Sequence, residues 1–333
     1  MIMTEFIHDG SVAVTEITGY THYSGEAQSY FLSRGDRIAV ISPSSLPTRE
    51  QADATVDGLR SWGFVAVEGR SVCPETRTLK DCAEDLRWAL EAPEIRGIFC
   101  VRGGYGATEV TDVIPKDIIA AARKPIIGYS DITAFHSAWT SVGLPSIHAS
   151  MSGAFMGLPG ECAEAERRMM MGEIPSYQCT ADEFCRKGTA RGTLIGGNLS
   201  TMIATLETSC DCTKTDQPYI LFFEDVGENI VHIHRYLTIL RNHGILDRAR
   251  GIIFGEWTEL PGDEADCYGA SRGGEFASVE DMISRQLLKD RDLPIAFGFP
   301  AGHGDLNYPL LMGAEAELSV EEARYRITWG VNH

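Results

Sequence analysis

From Asp36 onward the chain alternates short β-rich runs with helical stretches. Arg37 to Ser42, Phe64 to Glu68, Gly97 to Val101 and Pro125 to Gly128 predict strands. Apolar residues at helical spacing predict helices over Thr48 to Trp62, Leu79 to Ala92, from about Ala107, and over Ile132 to Val142. Strand and helix in strict alternation imply parallel βαβ units with right-handed crossovers, hence an α/β fold. In such sheets a ligand crevice lies beyond the carboxyl ends of the strands. The loops Ser42-Pro43-Ser44-Ser45, Arg102-Gly103-Gly104-Tyr105-Gly106 and Tyr129-Ser130-Asp131 all leave predicted strand ends and are expected to meet on one rim.

Beyond His148 the pattern weakens. The stretch from about Leu158 to Lys187, with its charges, Met169 to Met171, Pro159 and Pro175, is expected to connect two domains. A second pattern follows: Gly192 to Gly197, a strand Tyr219 to Phe223, a helix Ile230 to Arg241, a strand Gly251 to Phe254, a helix Val279 to Leu288 and a strand Ile295 to Phe299. Leu260 to Glu275, rich in Gly and acid, predicts a loop. Residues 1 to about 34 show no sustained period and read as an extension with at most local structure. The expected division is an extension at 1–35, a first domain at 36–175, a linker at 176–187 and a second domain at 188–333.

Composition narrows the function classes. A net charge of −18 repels phosphate backbones and anionic membrane surfaces, so no nucleic-acid or membrane partner is expected. The first thirty residues lack Lys and Arg and are interrupted by Glu5, Asp9 and Glu16, which is unlike a secretory leader. No apolar run approaches the ~20 residues of a bilayer span, and a cytoplasmic protein is expected. The 9 cysteines are scattered without a C-x-x-C, and Cys210-Asp211-Cys212 has the wrong spacing for a zinc knuckle. Reduced thiols are expected, with no metal and no cofactor.

The chemistry centres on Gly128-Tyr129-Ser130-Asp131. Ser130 lies at the joint of a buried strand, Lys124 to Ile127, and the helix from Ile132. A sharp strand-to-helix turn exposes a hydroxyl, and the first helical amides present unsatisfied N–H groups to any oxyanion formed there. The turn is similar to the nucleophile elbow G-x-S-x-G, with Ile132 in place of the last Gly. The competing reading is that Ser130 or Asp131 merely caps the helix, as Ser and Asp commonly do.

A serine nucleophile needs a base, and the 9 histidines can be sorted. His8 and His22 fall in the extension and His333 is the last residue. His136 shares the helix of Ser130, too far along its axis at ~1.5 Å per residue. His232 and His234, at i and i+2 of one helix, face apart. His243 precedes Gly244 at a helix end, and His148 is readable as a core or a functional residue. His303, in Pro300-Ala301-Gly302-His303-Gly304-Asp305, is presented from a glycine-flanked loop and is the best candidate. A carboxylate must then orient the imidazole. Glu224 and Asp225 both end an apolar strand, and successive residues point opposite ways, so one of the two faces the crevice; helix capping by Asp225 or Glu228 is the alternative.

These residues resemble the LD-carboxypeptidase family, which shares its fold with the microcin-immunity peptidases. The resemblance covers about residues 36 to 330 and rests on Val101-Arg102-Gly103-Gly104-Tyr105-Gly106, Gly128-Tyr129-Ser130-Asp131, Gly196-Gly197-Asn198-Leu199, Phe223-Glu224-Asp225-Val226-Gly227-Glu228 and Gly298-Phe299-Pro300-Ala301-Gly302-His303-Gly304. It implies an N-terminal three-layer α/β/α parallel-sheet domain and a C-terminal β-rich α/β domain, and a homodimer. It places the family's Ser-Glu-His triad on Ser130, Glu224 and His303, and the oxyanion amides on Gly104 and Asp131. Arg102, Tyr105 and Asn198, within its motifs, are candidates for binding substrate; an ion pair with an acid is the other reading of Arg102. Ala301 stands where Phe is frequent and His234 where an acid is frequent, neither in the triad.

The activity the resemblance implies is hydrolysis of the L,D amide that joins a diamino acid to the terminal D-alanine of murein tetrapeptide, in cell-wall recycling. Two alternatives are a peptidase of peptidyl-nucleotide or aminoacyl-adenylate antibiotics, for which Trp257 is a possible stacking residue, and a non-catalytic protein that binds in the crevice.

Overall fold

The computed structural model describes residues 4–8, 11–22, 27–260, 276 and 278–330. Its strands are β1 (Thr4–His8), β2 (Ser11–His22), β3 (Arg37–Ile41), β4 (Val65–Glu68), β5 (Ile95–Cys100), β6 (Ile126–Gly128), β7 (Ser146–His148), β8 (Glu173–Thr180), β9 (Gly188–Asn198), β10 (Tyr219–Val226), β11 (Ala249–Thr258), β12 (Ile295–Ala296), β13 (Leu310–Met312), β14 (Glu315–Val320) and β15 (Arg324–Trp329). Its helices include α1 (Arg49–Ser61), α2 (Leu79–Glu91), α3 (Ala107–Val113), α4 (Lys116–Ala122), α5 (Thr133–Thr140), α6 (Gly153–Met156), α7 (Gly160–Met170), α8 (Leu199–Thr205) and α9 (Ile230–Asn242).

The first sheet has the order β13-β7-β6-β5-β3-β4. Its strands β3 to β7 run parallel, while β13 adds antiparallel to β7. Ile38, Ala39, Val40 and Ile41 are all buried, as expected of a parallel strand covered on both faces. Helices α1 and α2 begin with reciprocal capping boxes, Thr48 with Gln51 and Thr78 with Asp81, which satisfy first-turn amides and set where each helix starts. The helix expected from Ala107 is two short helices, because Pro115 cannot supply the amide that would join α3 to α4.

The second sheet has the order β1-β2-β8-β15-β14-β9-β10-β11-β12. Its β9 to β12 portion is parallel and the rest antiparallel, so the class is mixed α/β in two sheets, as expected. One apolar core joins parts of both sheets, including Ile127 and Ile147 of the first and Phe222 and Ile253 of the second. A smaller core packs α9 against the other face of β10 and β11. Among the described residues no helix is long and apolar enough to cross a membrane.

Three expectations are corrected. Residues 11–22 are not loose extension: β2 pairs with β8 from Thr15↔Cys179 to His22↔Glu173, with a bulge between Ile17 and Gly19 that hides its period. The stretch Leu158 to Lys187 is not a plain connection. It holds α7, which buries Cys162, Ala165, Met169 and Met170, and β8, which runs across the expected 175/176 boundary. The strand expected to reach Phe299 stops at Ala296, and the helix from Val279 becomes a π turn over Ile283–Leu287. The expected acidic loop lies, after Leu260, outside the described residues.

Candidate active site

Parallel pairing brings the ends of β3, β5 and β6 together, and the three loops that leave them meet as expected. Ser45 N–H donates to Gly103 O at 3.2 Å, and Tyr105 N–H donates to Ser45 Oγ at 3.1 Å. The buried Asp131 carboxylate ties all three loops, its Oδ2 accepting from Ser44 Oγ at 2.6 Å and from Ala107 N–H at 2.9 Å. Burial pushes the Asp131 carboxyl up, while the Ser44 and Ala107 bonds oppose that rise. From below, Arg77 donates to Ser42 O and to Ser44 O, which fixes the first loop.

Ser130 sits at φ +63°, a left-handed conformation that an L side chain adopts at a cost of about 1–2 kcal/mol. Such strain is expected where the surroundings over-determine a functional turn. It opens the 3-10 turn Ser130–Ile132, which leads into α5. Gly103 lies so close that a Cβ there would stand 2.9 Å from Ser130 Cβ and 3.0 Å from Ser130 Oγ. Gly104 takes φ +112° and abuts Ser45, where a Cβ would come within 2.2 Å of Oγ, so both glycines are needed for this approach.

The opposite wall comes from the second sheet. Glu224, near the end of β10, is fully buried, and its Oε2 accepts from His303 Nδ1 at 2.7 Å. That bond makes Nδ1 the protonated nitrogen and leaves Nε2 as the free lone pair. Burial works to lower the His303 pKa, but the hydrogen bond and charge of Glu224, aided by Asp225 and Glu259, outweigh it and the net shift is upward. The Tyr129 ring, adjacent to Ser130, packs on the His303 ring at 4.8 Å between centroids. The serine turn and the histidine loop therefore share one crevice.

Asp225 points the other way, as strand alternation requires. It accepts from Asn198 Nδ2 at 2.8 Å and from Ser200 N–H at 2.8 Å. Burial raises its pKa to about 6. Asn198 caps α8 through its Oδ1, which accepts from Thr201 N–H at 3.1 Å, so its amide is engaged inside the protein and holds Asp225. Arg102 donates from Nη1 to Leu46 O at 2.8 Å and makes no ion pair among the described residues, so the ion-pair alternative is not realised there. Tyr105 is 72% exposed on the rim, its hydroxyl donating to Glu109 at 3.2 Å.

Three of the other described histidines are packed or paired within the fold. His136 is buried between Gly128 O at 2.9 Å and Ser146 Oγ at 2.9 Å, and burial holds its pKa down at about 4. His148 is buried against the rings of Tyr129, His136 and Phe222. His232 pairs with Glu228 at 2.7 Å on the surface of α9.

Two residues near the crevice carried no signal in the sequence. Glu256 on β11 lies against Gly304, one residue past His303. Glu166 on α7 is fully buried with neither carboxyl oxygen hydrogen-bonded among the described residues, and it raises the pKa of Tyr129. Both stand on segments whose neighbours are distant in sequence. Among the described residues no group of three or more His, Cys, Asp or Glu is arranged to hold a metal ion.

Residues 38–149 match the LD-carboxypeptidase N-terminal domain and residues 191–318 the LD-carboxypeptidase C-terminal domain. A relative from Streptomyces coelicolor is 30% identical over 305 residues, which cover 87% of this chain and 92% of that one. The murein tetrapeptide carboxypeptidase of Pseudomonas aeruginosa is 28% identical, over 87% of this chain and 95% of that one. The crystal structure of a muramoyltetrapeptide carboxypeptidase from Oxalobacter formigenes superposes with a TM-score of 0.75 at 22% identity, over 88% of this chain and 98% of that one, and so shares the fold. Matched along both of its domains, the chain belongs to the LD-carboxypeptidase family.

Proposed function

We propose that the chain is a serine LD-carboxypeptidase, with Ser130 as nucleophile, His303 as general base and Glu224 as its orienting carboxylate. It hydrolyses the L,D amide that releases D-alanine from murein tetrapeptide in the cytoplasm, leaving a tripeptide for cell-wall recycling. The observation that supports this most is the His303–Glu224 hydrogen bond at 2.7 Å, made by a fully buried carboxylate beside the strained turn of Ser130.

In this reading Nε2 of His303 takes the Ser130 proton as Oγ attacks the carbonyl carbon. The oxyanion is received by the N–H groups of Gly104 and Asp131. Gly104 N–H has no hydrogen-bond partner among the described residues, and Asp131 N–H lies in the first turn of a 3-10 segment, where amides are unsatisfied. The imidazolium, stabilised by Glu224, protonates the leaving amine. Water then repeats the sequence on the acyl-enzyme. Because the base must be neutral, activity rises with pH through the His303 pKa, which lies above its ordinary value. Arg102, with guanidinium N–H groups left beyond the Leu46 bond, is the proposed grip for the terminal carboxylate, and Tyr105 lines the rim. Asn198 contributes from behind by holding Asp225.

The test offers the purified protein murein tetrapeptide and an aminoacyl-adenylate analogue side by side. Release of D-alanine from the first is expected. Cleavage of the adenylate alone would instead favour the microcin-immunity activity; the Microcin C7 self-immunity protein MccF of Escherichia coli is 23% identical over 89% of this chain. Failure of a serine-directed phosphonate to label Ser130 would favour a binding protein. The homodimer that the family resemblance implies is checked by analytical ultracentrifugation.

A further inference from the structure

A general-base histidine is only as well aimed as the loop that carries it. Glu224 and Tyr129 hold the imidazole itself; the loop backbone is tied separately. Gly302 N–H donates to Asn307 Oδ1 at 3.1 Å, Tyr308 N–H to Pro300 O at 2.9 Å, and Glu256 N–H to Ala301 O at 3.4 Å. On the far side of His303 the contact is with a side chain. A Cβ on Gly304 would lie 1.8 Å from Glu256 Oε2 and 2.6 Å from its Cδ, so the carboxyl group lies directly against the backbone of residue 304. Next to Glu256 on β11, Gly255 meets the loop from the same strand: a Cβ there would stand 2.5 Å from Ala301 O and 3.1 Å from Glu224 Cβ. Strand β11 thus touches the loop on both sides of the imidazole and touches its partner acid as well.

We infer that Glu256 is a positioning residue for His303, its carboxyl group seating Gly304 and so setting how the imidazole is presented to Ser130. The inference rests on the serine-peptidase reading above. Glu256 forms no ion pair among the described residues, and its Oε2 is buried with no well-formed hydrogen bond, the adjacent Gly304 amide acting on the carboxyl group only as a nearby dipole. The charged or titratable groups around it are Glu224 on β10, Asp305 in the loop and Cys162 on α7, and His303 is the residue before Gly304, on which its carboxyl group rests. Burial, with the negative charges of Asp305 and Glu224, raises its pKa to about 7, against the opposing pull of the Gly304 amide. An ionised Glu256 favours the imidazolium, and a neutral one favours the free base.

The experiment compares the wild type with E256Q, E256D and the pair G304A and E256A/G304A. E256Q keeps the volume and removes the charge, so the acidic limb of kcat/KM and the NMR titration of the His303 imidazole should both move to lower pH. E256D keeps the charge but withdraws it from Gly304; kcat should fall about tenfold with KM within twofold, a loss of about 1.4 kcal/mol. G304A should lose activity by collision with Glu256, and E256A/G304A should recover part of it because the space is vacated. An unchanged His303 titration in E256Q together with an unchanged kcat in E256D would overturn the inference. The NMR titration reads His303 without turnover, so absence of murein cleavage would refute the proposed substrate while leaving this test intact.

Discussion

Replacing Glu224 by Gln exchanges one oxygen for an NH2 group at nearly constant volume, in a place with no solvent to compensate. The wild-type carboxylate is 0% exposed and accepts the His303 Nδ1–H at 2.7 Å. When the imidazolium forms, two opposite charges about 4 Å apart at an effective dielectric of ~20 attract by roughly 4 kcal/mol. Losing that attraction alone corresponds to about three decades in rate. A Gln can also turn its NH2 toward Nδ1 and stabilise the tautomer whose Nε2 carries the proton and cannot act as base, and the same exchange in the Ser-His-Asp template costs ~10⁴-fold. E224Q should therefore lower kcat by about 10³- to 10⁴-fold. KM should hardly change, because Glu224 lies behind the imidazole. The pH profile should move too: with the carboxylate gone, burial dominates, the His303 pKa drops, and residual activity persists to lower pH than in the wild type. The assay is D-alanine release from murein tetrapeptide between about pH 5 and 9, with thermal melts to confirm folding. Turnover within tenfold of wild type, or an acidic limb that stays in place, would refute the assignment of Glu224 as the orienting acid.

Two further predictions concern stability. Ser130 holds φ +63°, so S130G should be more stable than S130A by about 1 kcal/mol in urea unfolding, both being inactive; equal stability would show that the turn is unstrained. Glu166 is fully buried with both carboxyl oxygens unpartnered among the described residues, and burial raises its pKa well above the ordinary value. Its contribution to stability is thus complete below the unfolded-state pKa near 4.3 and is lost progressively as pH rises toward the folded value. E166M should gain about 1–3 kcal/mol over wild type at pH 8 and less at pH 5; a variant destabilised equally at both would sink this account.

Much of the crevice was legible in the linear chain because local rules govern it. The strand-to-helix joint at Ser130 follows from an apolar run meeting a helical period, and the opposed directions of Glu224 and Asp225 follow from a strand's period of two. Helix α1 begins at Arg49 because Thr48 and Gln51 cap it reciprocally, an interaction that spans one turn. The histidine elimination rests on the same kind of local rule: positions along the chain decide what His136 can reach. Family resemblance was still needed to choose Glu224, since alternation alone does not say which face of β10 meets the crevice.

What only the tertiary structure decided involves partners far apart in sequence. Strand β2 is largely part-exposed from Thr15 to His22 and bulged, and its partner β8 lies more than 150 residues further on, so its sequence has little local pattern to disclose. The engagement of Asn198 by Asp225, of Arg102 by the Leu46 carbonyl and of Asp131 by Ser44 likewise arises from loops that meet only when the sheets form. Periodicity and capping act over a few residues and so determined the elements and the turn that carries Ser130. The pairing of His303 with Glu224, and the seating of Gly304 on Glu256, depend on the register of β10, β11 and the loop after β12, which non-local hydrogen bonding and core packing set together.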